Sequence, residues 1–173
     1  MATQEQIAEL KQKMREQRET LLAALGSLSE ADAERSSTGE GEWSAKQQMA
    51  HLCEMETAYR AWVEEALAED NPNVDGVYGE RPAIRLEDAH NHTVAEHTAE
   101  MRRQRTTTEA MIDGMAPGEF DRTATQQMFG TLTVLQWLRS YYRHDRMHLD
   151  QVQGRDPEYK PRFTGAEPDQ RRG

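Results

Sequence analysis

The stretch TVLQWLRSYYRHDRMHLDQV, Thr133 to Val152, decides how this chain folds. At 3.6 residues per turn, Val134, Trp137, Leu138, Tyr141 and Val152 fall on one face of a helix. His144 and His148, four residues apart, stack on that same inward face. An apolar stripe has to be buried against another element, and two imidazoles buried with it need a partner or a metal. Thr133 and Gln136 have capping-box spacing and mark the start of the helix, and Gly154 ends it.

Three further helices read outward from this one. The first spans about Thr3 to Ala24, opened by Thr3 and Gln6, with Ile7, Leu10, Met14, Leu21 and Leu25 as its stripe. Residues 26–43 are small, polar and rich in glycine, a connection with at most a short turn of helix. The second helix runs from Ser44, paired with Gln47, to about Glu69, and its stripe is Met49, Leu52, Met55, Tyr59, Trp62, Ala66 and Leu67. Residues 70–86 hold Pro72, Gly76, Gly79 and Pro82, a link long enough that the second and third helices need not be antiparallel. The third helix, about Leu86 to Met115, is the most polar. Residues 116–132 read as irregular, and no strand-like alternation appears. The fold expected is an all-α four-helix bundle over residues 1–154, followed by an extended C-terminal tail over 155–173, disordered at its very end.

A third histidine, His51, shares a face of the second helix with Met55, Ala58 and Trp62, so it points toward a partner helix. His51, His144 and His148 converging from two helices would make a three-ligand site with an open position. Glu54 lies three residues from His51, near the same face, and is a candidate general base or outer partner. Asp145 and Gln151 flank the pair closely enough to orient its imidazoles. Cys53 is about 200° around the helix from His51 and reads as a packed small hydrophobe. His90, His92 and His97 have spacings that do not stack and read as solvated.

Composition narrows the function. The 173 residues carry 21 basic and 31 acidic side chains, a formal net charge of -10, and no basic stripe. Nucleic acid and anionic membrane surfaces are therefore not the expected partners. The opening residues lack the apolar core of a secretory signal, and no stretch reaches the length of a membrane span. One cysteine allows no internal disulfide, and the cytoplasm is the expected compartment. A small-molecule substrate is the expected partner, and a homodimer the expected assembly.

Two segments resemble a known family. WSAKQQMAHL (Trp43–Leu52) is similar to the start of the second helix in DinB/YfiT-like proteins, where a Trp-Ser pair precedes a metal-binding histidine. YYRHDRMHLDQV (Tyr141–Val152) is similar to their last bundle helix, whose H-x-x-x-H pair completes the site and is often followed by x-x-Q. These matches fall on His51, His144, His148 and Gln151, and the resemblance spans roughly residues 3–154. It implies an up-down-down-up bundle holding a divalent metal, zinc or nickel, on three histidines. It also implies a metal-dependent enzyme, either a transferase using a low-molecular-weight thiol or a hydrolase. In the mycothiol-dependent isomerase branch a glutamate can replace the first histidine of the pair, and here His144 stands in that place. A non-catalytic bundle with a structural metal or a protein-interaction role is the rival reading. An open pocket beside the histidines would favour the enzyme, and a closed four-ligand shell the staple.

Overall fold

Each bundle helix begins at a residue whose side chain closes the first turn. The computed structural model describes residues 1–35, 43–160 and 170–171. Its helices are α1 (Gln4–Gly26), α2 (Glu30–Glu34), α3 (Ala45–Ala68), α4 (Val94–Asp113) and α5 (Val134–Val152). Thr3, Ser44 and Thr133 form the expected capping boxes with Gln6, Gln47 and Gln136. Each cap contributes about 1 kcal/mol relative to alanine. The short turn foreseen between the first two bundle helices is α2, while residues 36–42 of that connection lie outside the described residues.

The third bundle helix differs from expectation at its start. Leu86–Asn91 form a separate 3-10 turn, the chain breaks at His92, and Thr93 opens α4 in a fourth capping box with Glu96.

Side-chain pairs between helices give the bundle's direction. Along α1 and α4, Lys11 meets Asp113 and Arg15 meets Glu109, while Arg18 donates to the Met101 carbonyl, so these two run antiparallel. Along α1 and α5, Lys13 lies over the Tyr142 ring and Arg18 pairs with Asp145, so these are parallel. In α3 and α4 the order is again parallel, with Glu56 bonded to Arg105 and Arg60 to Thr108. Finally α3 and α5 are antiparallel, since Gln48 meets His148 and Trp62 meets Trp137. The result is up-down-down-up for α1, α3, α4 and α5.

The core has two apolar layers. Ile7, Leu10, Met14, Tyr59, Val63, Trp137, Leu138 and Tyr141 belong to one. Leu21, Leu22, Leu25, Met49, Leu52, Met101 and Leu149 belong to the other. In every bundle helix one charged residue separates them: Arg18, Glu56, Arg105 and Asp145, all buried. Arg18 holds Asp145 with Nε at 3.0 Å and Nη2 at 2.8 Å, and Nη2 also donates to Glu56 at 2.7 Å. Arg105 donates to Glu56 at 2.8 Å and to Asp145 at 2.9 Å. The carbonyls of Met101 and Met14 take the Nη1 donors of Arg18 and Arg105, and the Thr108 hydroxyl bonds Glu56. Two cations and two anions thus cancel in the middle of the bundle. Such a set is costly to break from one side, because the charge left behind stays buried.

The third helix is polar because its buried stripe is polar. His97, Gln104, Arg105 and Thr108 are enclosed along with Met101 and Ile112. His97, expected to be solvated, is 1% exposed, and its Nε2 donates to the Ala89 carbonyl at 2.8 Å. The fold-back of the 3-10 turn at Ala89 covers it, and that fold-back requires the break at His92. His90 remains exposed, with its ring bonded to the Ser44 hydroxyl.

Residues 116–132 are less irregular than expected. Thr123–Gln126 (β1) and Gly130–Thr133 (β2) pair as an antiparallel hairpin leading straight into α5. Gly130 takes φ 78°, a left-handed conformation that favours glycine at the tip. Beyond α5, Arg155 and the Glu158 amide fold back onto Asp150, and Tyr159–Lys160 (β3) pairs with Gln170–Arg171 (β4). The disorder expected at the very end falls on residues outside those described. No helix among the described residues is long and apolar enough to cross a membrane.

Candidate metal centre

The antiparallel pairing of α3 with α5 brings His51 against His144 and His148. His144 Nε2 lies 3.3 Å from His51 Nε2 and 3.1 Å from His148 Nε2. One ring nitrogen from each histidine falls within 4.8 Å of the other two. Nitrogens bound tetrahedrally at 2.0–2.1 Å sit about 3.3 Å apart, so the donor set fits a single divalent ion. Among the described residues no cysteine or carboxylate joins the three.

Neighbouring groups fix how the rings face. Gln48 donates its amide to the Trp43 carbonyl at 3.1 Å, which leaves its oxygen to accept from His148 Nδ1 at 2.9 Å. With the proton on Nδ1, the His148 Nε2 lone pair points into the cluster. The Trp43 ring packs on His51, centroids 4.7 Å apart. Burial holds all three imidazoles in the neutral, ligating form. It pushes His51 down to about 4. Burial and the neighbouring His51 push His148 down to about 3, against an opposing hydrogen bond from Gln151. His144 is pushed down by burial, by the other two histidines and by Arg18.

The outer candidates separate. Gln151 touches His148 and lines the space beside it. Glu54 also lines that space, but its Oε1 accepts from the Leu86 amide at 3.1 Å, tying down the chain ahead of α4. Asp145 does not serve the histidines. One residue from His144 is a 100° turn of the helix, which carries its carboxylate to Arg18 and Arg105 in the charged quartet. Cys53 is buried as expected, and burial pushes its thiol up, so it is not a thiolate at neutral pH. Sequence reasoning overlooks Gln48, although it precedes His51 by the same three residues that Glu54 follows it.

The triad opens on a chamber of about 1010 Å³. One wall is α3 and another α5. The third is the connection between α3 and α4, which lies across α3 like a strap. A Cβ on Gly79 would stand 2.2 Å from the Thr57 carbonyl group, so only glycine lets the strap sit this close. Trp62 Nε1 donates to the Val77 carbonyl at 3.0 Å, and the Val74 amide bonds Thr125 of the hairpin at 2.9 Å.

Comparison with known proteins bears on this geometry. The fold is similar to YfiT from Bacillus subtilis, described as a probable metal-dependent hydrolase with an unusual four-helix bundle topology. The TM-score is 0.73 at 18% identity, covering 88% of this chain and 87% of that one. TT2238, a four-helix bundle protein, aligns with a TM-score of 0.61 at 22% identity over 85% of this chain and 98% of its own. A mycothiol-dependent maleylpyruvate isomerase aligns with a TM-score of 0.66 at 12% identity, over 84% of this chain and 60% of that one. At these identities the likeness is one of fold. A search of the curated proteins finds no match. The sequence profile of the DinB superfamily matches residues 13–152, which take in all three histidines, the latter part of α1 and the whole of α3, α4 and α5, and the chain belongs to that superfamily.

Proposed function

We propose that the chain is a metal-dependent hydrolase acting on a small molecule in the chamber, with His51, His144 and His148 holding one divalent ion. The observation that carries this reading is the convergence of three neutral imidazole nitrogens on the wall of an open chamber. Catalytic metal sites have three protein ligands and a free position, whereas structural sites are closed by a fourth. That contrast favours an enzyme over a structural staple. Imidazole suits zinc and nickel alike, and both are candidates. When bound, such an ion supplies Lewis acidity, enough to bring proton loss from a coordinated water near neutral pH.

The chain's own residues do the rest. Gln48 locks the His148 tautomer, Trp43 packs on His51, and the strap walls the chamber opposite α5. The similarity to a mycothiol-dependent isomerase supports a second reading, transfer chemistry with a low-molecular-weight thiol. Such a thiol would enter from solution, since the Cys53 thiol is buried.

The test is elemental analysis after loading with zinc or nickel, followed by a panel of esters and amides with and without added thiol. Metal-dependent cleavage without thiol is expected. Turnover only with thiol shifts the assignment to transfer. Absence of both in metal-loaded protein overturns the enzyme reading.

A further inference from the structure

The chamber is longer than a metal site requires. His51 and Trp62 both line it, and their separation along α3 is about 16 Å of helix axis. Its two ends differ in chemistry. Near the histidines the lining mixes Trp43 and Met147 with Gln48, Glu54 and Gln151, and beyond Tyr59, whose ring stands 6.5 Å from that of His144, it is Trp62, Met128 and Phe129 with Gln126. Apart from Met1, the exposed large hydrophobic residues among those described are Trp43, Tyr78 and Met128, and all three line this chamber. Isolated exposed hydrophobics need no explanation, but their collection around one opening marks a surface that a ligand covers.

The geometry points to an aryl-binding subsite at the far end, which rests on the histidines being the reacting end: the substrate carries a flat aromatic group one ring beyond Tyr59, which itself stands 6.5 Å from His144. Trp62 is the platform. Its indole N–H is spent on the Val77 carbonyl at 3.0 Å, and Trp137 and Tyr59 brace it edge-on with centroids at 5.1 and 5.4 Å. A ring held this firmly loses little freedom when a ligand stacks on it. Phe129 stands 6.4 Å from it, and the half-exposed Met128 adds a polarisable thioether, the side chain that best adapts to an aromatic face. The Val74 amide donates to the Thr125 carbonyl and the Thr125 amide to the Pro72 carbonyl, so strap and hairpin are joined here and the walls are preformed.

The experiment uses two probes without a metal-binding head, 4-phenyl-1-butanol and 1-butanol. Both are titrated into the metal-loaded chain and read at the indole N–H signals of the three tryptophans. The phenyl compound is expected to shift the Trp62 signal saturably and to bind at least about tenfold tighter than butanol. Met128→Gln, at an exposed position that the fold does not need, should weaken phenylbutanol several-fold. Equal binding of the two probes, a response centred on Trp43, or an unchanged affinity in Met128→Gln would each overturn the subsite. Metal content is measured on the same samples. Bound metal with no Trp62-centred binding defeats the subsite alone, and Trp62-centred binding in protein that takes up no metal defeats the three-histidine reading alone.

Discussion

Two buried polar clusters occupy consecutive residues of α5, and they are assembled in opposite ways. Asp145 belongs to a quartet with one member from each bundle helix, in which two guanidinium groups and two carboxylates satisfy one another and two backbone carbonyls besides. His144 belongs to a triad of like groups, three imidazoles with no opposite charge among them. The quartet is sealed between the two apolar layers, while the triad faces the chamber. Burial of polar groups is therefore no sign of function by itself. What distinguishes the triad is that its members turn ring nitrogens toward one another beside open space.

Breaking the quartet should have the largest effect. Glu56→Gln leaves two buried guanidinium groups facing one carboxylate. A loss of about 3–5 kcal/mol is expected in urea or thermal unfolding. Acid should reveal the same dependence. Burial alone would raise the Glu56 carboxyl, but Arg105 and Arg18, with bonds from Arg105 and Thr108, hold it at about 2. Its folded value lies below the ordinary one of 4.5, so its contribution is complete above about pH 4.5 and disappears as pH falls toward 2. That contribution is about 3 kcal/mol. Unfolding measured at pH 6 and pH 3 should show a steep loss in the native chain and a flatter profile in Glu56→Gln.

The triad should respond to metal. His144→Ala is expected to bind little zinc or nickel and to lose the metal-linked gain in stability. That gain is about 2.7 kcal/mol at a free metal concentration a hundred times Kd, or roughly 5–10 °C in Tm. Without metal, His144→Ala should melt close to the native chain, because no opposite charge is orphaned. Equal metal content in the two proteins would refute the ligand assignment. His97→Ala sharpens the contrast at the small end. It removes a buried bond to the Ala89 carbonyl and should cost about 1–3 kcal/mol while leaving metal content unchanged.

The sequence showed the helices and the three histidines for a common reason, since both are written as periodicity along one segment. The stripe from Val134 to Tyr141, the pair at His144 and His148, and the caps at Thr3, Ser44 and Thr133 all concern residues three or four apart. What stayed hidden depends on partners far along the chain. Projected on its own helix, Asp145 looks like a neighbour of His144, and only Arg18 and Arg105, 127 and 40 residues away, show otherwise. The third helix is the most polar in sequence because Gln104, Arg105 and Thr108 carry much of its buried stripe. The hairpin escaped notice because each four-residue strand buries one side chain, Ala124 or Leu132, too few to establish a period. His97 was misread because it was judged by its spacing to His90 and His92, whereas Val94 and Met101, three residues before it and four after, put it on the buried face of α4.

Because α3 and α4 run in the same direction, the chain leaving α3 must travel back the full length of the bundle before α4 can begin. A bundle of antiparallel neighbours has only short turns at its ends and no chain to spare along its sides. Here the returning segment, residues 69–93, supplies one side of the chamber while contributing no member to the triad or the quartet. That wall is thereby held by backbone bonds and one glycine rather than by the histidines or the charged quartet. Within that segment Gly79 sets how closely the strap approaches α3, so any side chain there would push this wall of the chamber outward.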